Sequence, residues 1–385
     1  MTKEQDRNYL MDFSLNDTQT MLRDTLQRYL LDRYDHDTRM KISRKDGWSA
    51  ATWKAFAEEL GILGASFSEE QGGLGGGVVD NMIVMEELGG KLVLEPYLST
   101  VVIGGGALKH SGGRDDVISG IIAGEVIIAF AYAEPQGRYD WANLKTTATK
   151  SGSGYVLNGH KAVVRDAPFA THLLVTARTG GSQTEAGGVS LFLIDKATSG
   201  VSTRDYPTID GGRASEITFD NASIPGDALV GTEGGALPLI EQIIDEATTA
   251  ICSEAVGVTR QIHAQTMDYA KQRKQFGKAI SEFQVLQHRM VDMFLEVEQS
   301  VSMTLMATLH LDAAPDDRMA AVSAAKSRVG KACKFVGQSA IQIHGGMGMT
   351  DELAVGHYFK RATMIEGQFG SVDHHLRRYE RLKVG

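Results

Sequence analysis

The sequence is short of cysteine. Cys252 and Cys333 are the whole complement in 385 residues, and they show no metal-like spacing. Both fall in helical-looking stretches, so they are expected as buried free thiols rather than a disulfide, which suits a reducing compartment. The sequence is also short of positive charge. Lys and Arg number 39 against 48 Asp and Glu, a formal net charge of −9. That argues against a general nucleic-acid binder, since phosphate contacts need clustered Lys and Arg, but it leaves room for a locally basic pocket around an anionic cofactor. No apolar run is long enough to span a bilayer. Met1 to Leu10 is polar and charged, without the apolar core of a signal peptide. A cytoplasmic location is the resulting expectation. There is no internal repeat, no low-complexity tract and no Gly-x-Ser-x-Gly elbow to support a hydrolase.

What is present is an order of helices, strands and helices. Phe13-Ser14-Leu15-Asn16-Asp17 leads into Met21, Leu22, Leu26, Tyr29 and Leu30 at helical spacing, and Trp48 to Leu63 is amphipathic in the same way. Glu69 to Gly77 breaks the pattern; Asn81 to Leu88 resumes it and Gly89-Gly90 ends it. Near residue 125 the period changes. Val126 to Tyr132, Gly154 to Gly159, His172 to Arg178, Val189 to Ile194 and Ile217 to Phe219 read as short strands of a small barrel or sandwich. From about residue 235 the helical period returns, with Ile240, Ile244, Ile251 and Val258 on one face and Ala320, Ala324 and Ala332 permitting close packing.

Two segments can carry chemistry. Arg273-Lys274-Gln275-Phe276-Gly277 follows a helix that holds Tyr269. Arg273 there either pairs with phosphate oxygens through its planar fork or is a solvated basic helix end. Gln342-Ile343-His344-Gly345-Gly346-Met347-Gly348 either lets backbone approach a ligand or simply joins two helices. No strand precedes it, which disfavours a dinucleotide-binding Rossmann unit. His374-His375 beside Asp373 is not assigned to a metal, because adjacent helical side chains diverge.

In register, these pieces resemble the acyl-CoA dehydrogenase family along nearly the whole chain. The resemblance is carried by Gln71-Gly72-Gly73-Leu74-Gly75, Glu87-Leu88-Gly89, Asn158-Gly159-His160-Lys161, Tyr269 to Gly277 with Phe283-Gln284, and Gln342 to Gly348. It implies an α+β architecture: an N-terminal α-helical domain over residues 1–125, a middle β-barrel domain over 126–232 and a C-terminal four-helix bundle over 233–385. It implies FAD at a subunit interface, with Arg273, Gln275, Phe276, Gln342, Gly345 and Gly346 contacting the FAD of a neighbouring subunit. The flavin ring would lie against the β-domain of its own subunit. The family reaction takes an acyl-CoA: a carboxylate removes the α-proton while the flavin accepts hydride from the β-carbon. Glu366 aligns with the usual base; Glu246 is a runner-up one residue out of register, and Asp245 is a candidate for positioning substrate. An electron-transfer flavoprotein is the family's usual acceptor, and a homo- or hetero-oligomer is expected.

The residues on the flavin side depart from that pattern. The usual Thr-Glu-Pro reads Ala133-Glu134-Pro135, Gly-Ser-Asp reads Arg138-Tyr139-Asp140, and Trp-Ile-Thr reads Val163-Val164-Arg165; after Glu366-Gly367 the usual Thr is Gln368. The asymmetry is similar to that of a subunit of the family's heteromeric members, of pimeloyl-CoA or steroid side-chain type. The alternative expectation is therefore a non-catalytic subunit that completes a partner's FAD site. An acyl-CoA oxidase is a third.

Overall fold

The computed structural model describes residues 14–383. The expected start of the first domain, 1–13, and the last two residues lie outside the described residues. The N-terminal part begins with α1 (Asp17–Arg33), α2 (His36–Lys45) and α3 (Ala50–Glu58). Each is started by a side chain that satisfies an otherwise orphaned amide. Asn16 accepts from Gln19 N at 2.8 Å, and Gln19 returns the bond to Asn16 N. Asp35 and Ser49 cap the next two. There follow α4 (Val78–Gly90), a π-helical stretch Leu98–Gly105 running into α5 (Gly106–Ser111), and α6 (Asp115–Ile122).

The middle part is a mixed eight-stranded sheet: β1 (Ile128–Ala131), β2 (Thr147–Ser151), β3 (Gly154–Arg165), β4 (His172–Arg178), β5 (Val189–Asp195), β6 (Val201–Pro207), β7 (Arg213–Ile224) and β8 (Leu229–Val230). Its order is β6-β7-β3-β2-β4-β5-β8, with β1 parallel to β4. β4 and β5 are buried on both faces, which explains their unbroken apolar runs. A register shift between Lys161 and Val164 on β3 pushes Val163 to φ 53 and into solvent. Inside the sheet, Lys161 Nζ donates to Glu134 Oε1 at 2.7 Å and to Thr176 Oγ1. Burial would raise the Glu134 carboxyl, but the Lys161 ammonium overrides it and holds the acid at about 2.

The C-terminal part holds α7 (Leu237–Gln272), the hairpin β9 (Lys274–Gln275) and β10 (Lys278–Ala279), α8 (Gln284–Leu309), α9 (Pro315–His344), α10 (Ala354–Gly367) and α11 (Val372–Lys383). α7 crosses α4 at backbone contact. A Cβ at Gly89 would sit 2.2 Å from Glu254 O, and one at Gly257 would sit 2.0 Å from Glu86 O. Gly89 therefore packs the domains together as well as standing near a helix end. Cys252 and Cys333 are free and fully buried, and burial pushes both thiols up to about 12. Among the described residues no helix is long and apolar enough to cross a membrane.

A buried charge clasp joins these parts. Arg361 on α10 grips Glu254 of α7 with Nε and Nη2 at 2.5 and 2.7 Å, and reaches Asp210 of the β6–β7 loop with Nη1 at 2.7 Å. Arg165 and the α2 residue Arg39 also bond Asp210, the first to its carboxylate and the second to its carbonyl. Beside this clasp lies a cavity of mixed lining, which Glu95 shares with Leu88, Leu92 and Leu94. Glu95 accepts from Ser49 N at 3.0 Å, and burial raises its carboxyl to about 7. Between its ordinary value of 4.5 and about 7 the folded chain binds the Glu95 proton more tightly than the unfolded chain does. Stability contributed by this group is thus lost as pH rises through that window. Glu95→Gln is expected to remove the loss and to stabilise the chain by about 3 kcal/mol at pH ~8, with little change at pH ~4. Melting curves at the two pH values check it; equal effects at both would refute the assignment.

Candidate functional site

The Arg273 segment is shaped by the end of α7. Arg273 leaves helical geometry while its N–H still donates to Tyr269 O at 2.8 Å. The chain then turns back in a two-residue hairpin with Phe276 at φ 54 and Gly277 at φ 80. Positive φ at both central residues is the type I′ geometry whose twist suits a hairpin. Glycine takes it freely; Phe276 does so at a cost and is also 93% exposed. Within the chain its ring meets that of Phe283 edge to face, centroids 6.3 Å apart. Arg273, Lys274 and Gln275 are exposed with it.

The second segment reaches the same end of the bundle. α9 stops at Gly345, which takes φ 61, and neither Gly345 nor Gly346 has any atom near where a side chain would project. Tyr269 stacks on His344 with ring centroids 4.3 Å apart and donates to His344 O. The structure thereby brings the Arg273 hairpin and Gln342, Gly345 and Gly346 to one edge, all exposed. His344 is a strut within it: its Nδ1 meets Ala340 O, and burial lowers its pKa. An exposed cation beside bare backbone fits the phosphates of an FAD.

The β-domain face is different. Tyr139 donates its O–H to Gly367 O at 2.9 Å, and its ring lies 5.0 Å from that of His374. It thus bridges the β-domain to the α10–α11 turn. Arg165 is committed to Asp210, while Gln368 Oε1 is buried without a protein partner.

Glu366 sits on the face of α10 that meets α9 and α11. Its Oε1 accepts from Val372 N at 3.0 Å, capping α11. The roughly 460 Å³ pocket it lines with Lys331, Lys334 and Thr363 contains no residue of the β-domain. Asp245 is fully buried between Arg318 and Arg378, at 3.1 and 2.6 Å. Glu246 meets His110 at 2.6 Å. His374 and His375 stay neutral, burial holding them at about 4 and about 2, and no metal-like cluster occurs among the described residues. Sequence reasoning missed the Arg361 clasp; its signal was a pair of opposite charges, Glu254 and Arg361, on otherwise apolar helix faces.

Three family models match the chain: acyl-CoA dehydrogenase N-terminal domain over residues 16–112, middle domain over 129–222 and C-terminal domain over 236–381. The chain is 30% identical over 355 residues to an L-prolyl-[peptidyl-carrier protein] dehydrogenase of Serratia sp., covering 90% of this chain and 91% of that protein. The solved FAD complex of PigA matches with TM-score 0.89 at 28% identity, over 96% of this chain and 98% of that one. A steroid ACAD designated Tcur3481-Tcur3483 matches with TM-score 0.86 at 27% identity, over 96% of this chain and 99% of that one.

Proposed function

The chain belongs to the acyl-CoA dehydrogenase family, and from that premise we propose that it serves as one subunit of an FAD-dependent enzyme that dehydrogenates an acyl thioester. The family chemistry is an oxidation, in which bound flavin accepts hydride from the β-carbon as a base takes the α-proton. The observation that carries the subunit reading is the strained, 93% exposed Phe276 beside Arg273. In this reading the Arg273 guanidinium pairs with phosphate oxygens of a neighbour's FAD. Gln275 and Gln342 offer amide groups, Gly345 and Gly346 let backbone approach, and Phe276 supplies an aromatic face. The thioester carrier is CoA or a carrier-protein arm, the latter because the Serratia relative is named for one. An electron-transfer flavoprotein is the proposed acceptor. Co-purification from the native source with flavin quantification tests the reading. A non-identical dehydrogenase subunit and flavin should come together; the chain alone, with one FAD each and full turnover, would sink it.

The capping bond of Glu366 favours a base supplied by the partner subunit. Glu366→Gln still offers Val372 N an acceptor, so turnover of the assembly is expected to stay within about twofold, whereas loss of a general base costs ~10²–10⁴-fold. Glu366→Ala removes the cap and should cost about 1 kcal/mol in melting experiments. A collapse of turnover in Glu366→Gln would restore Glu366 as the base.

A further inference from the structure

We infer that Tyr139 and the aromatic residues behind it close this chain's own flavin cleft, so that it contributes to FAD binding only through the edge it offers a neighbour. The inference rests on the subunit reading above and says which residues enforce it.

By the family resemblance, the segments around 133–140, 163–165 and 366–368 bracket the flavin between the β-domain and the α10–α11 turn. Tyr139 crosses that gap, its O–H on Gly367 O at 2.9 Å and its ring against His374. The crossing is built into the backbone, since Arg138 before it takes φ 49, a conformation bulky residues adopt only at a cost. Behind Tyr139 the space is filled by rings. Phe369, 3% exposed and itself at φ 58, lies 6.0 Å from Tyr132; Tyr132 lies 5.4 Å from Trp141 and 4.8 Å from Phe130. This packing runs unbroken from β1 to the α10–α11 turn. The turn is pinned from the opposite side by the buried Lys326 ammonium, which donates to Glu366 O at 2.8 Å and Gly370 O at 2.7 Å. A flat isoalloxazine ring would have to break the Tyr139 bond and displace these rings from their packing. The exposed Val163 offers no flat ring in exchange.

The experiment is FAD titration of the full-length chain purified alone, counting bound flavin by visible absorbance. Wild type is expected to retain none in excess FAD. The double substitution R138G/Y139S is expected to raise occupancy toward about one flavin per chain and to quench part of the tryptophan fluorescence, because flavin then lies beside Trp141. Tyr139→Phe keeps the ring and should stay closed. Wild type that binds one flavin per chain overturns the closure, and if it also turns over fully it overturns the subunit reading as well. A folded, flavin-free R138G/Y139S chain overturns the closure alone, provided the wild-type assembly still holds FAD through Arg273. Should the double variant not fold, amide exchange of the wild type decides. Residues 365–370 gaining protection on addition of FAD would refute the closure, and no gain would support it.

Discussion

Arg361→Leu is expected to lower the stability of the chain by about 4 kcal/mol, because it leaves two carboxylates buried without their main counter-ion. Arg361 is 8% exposed, Glu254 7% and Asp210 3%. Burial by itself would lower the Arg361 pKa, but Glu254 and Asp210 drive it well above the usual guanidinium range. Burial would likewise raise Asp210, yet Arg165 and Arg361 hold it far below the usual carboxylate range. Each charge is therefore tolerated only because of the others. Removing the cation is costly, but removing a cation and an anion together need not be, since a packed apolar pair can replace a buried ion pair at little cost. The double variant Arg361→Leu with Glu254→Leu should recover most of the loss, the remaining Asp210 still holding Arg165. Urea unfolding of both variants and of Glu254→Leu completes a double-mutant cycle. If the double variant loses as much as the sum of the single ones, the clasp is not a coupled unit. The functional stake is orientation: the clasp ties α7 and α10 to the β-domain loop, and so fixes how the bundle end bearing Arg273 is presented relative to the sheet.

That clasp was not legible in the sequence, for a physical reason. Its partners are 107 and 151 residues apart, and charge complementarity at such separations has no periodic signature. The helices and strands were legible because their signals are local: the helical spacing from Met21 to Leu30, the short apolar runs at β4 and β5, and the return of the helical period in α7. The Arg273 and Gln342 segments were legible as motifs. That they meet depends on Tyr269 reaching His344, which spacing alone does not give. On the flavin side the departures at Arg138, Tyr139 and Arg165 could be read directly, but the Tyr139 bridge to Gly367 required the fold. Glu366 could be read only as a helix carboxylate; that its Oε1 accepts from Val372 N and so ties α10 to α11 required the fold.

In the intact assembly, Arg273→Ala is expected to weaken FAD binding by about 30- to 100-fold while leaving the melting of the chain unchanged. Charge-assisted hydrogen bonds are worth ~1.5–3 kcal/mol, one to two decades of affinity. No hydrogen bond or ion pair involves the Arg273 side chain among the described residues, so its removal costs the fold nothing comparable. Arg273→Lys keeps the charge but loses the paired donors, and should fall between wild type and alanine. Phe276→Ala should cost about tenfold, the value of one aromatic stacking contact, and salt separates its effect from that of Arg273. Added NaCl weakens a screened phosphate contact but not stacking, so the wild type and Phe276→Ala should lose affinity in parallel with salt, whereas Arg273→Ala should lose less. Flavin fluorescence titrations at low and high salt read all of this. Equal salt slopes for Arg273→Ala and wild type would mean that the guanidinium faces no phosphate, and the strained Phe276 hairpin would then have to be explained by a protein contact instead.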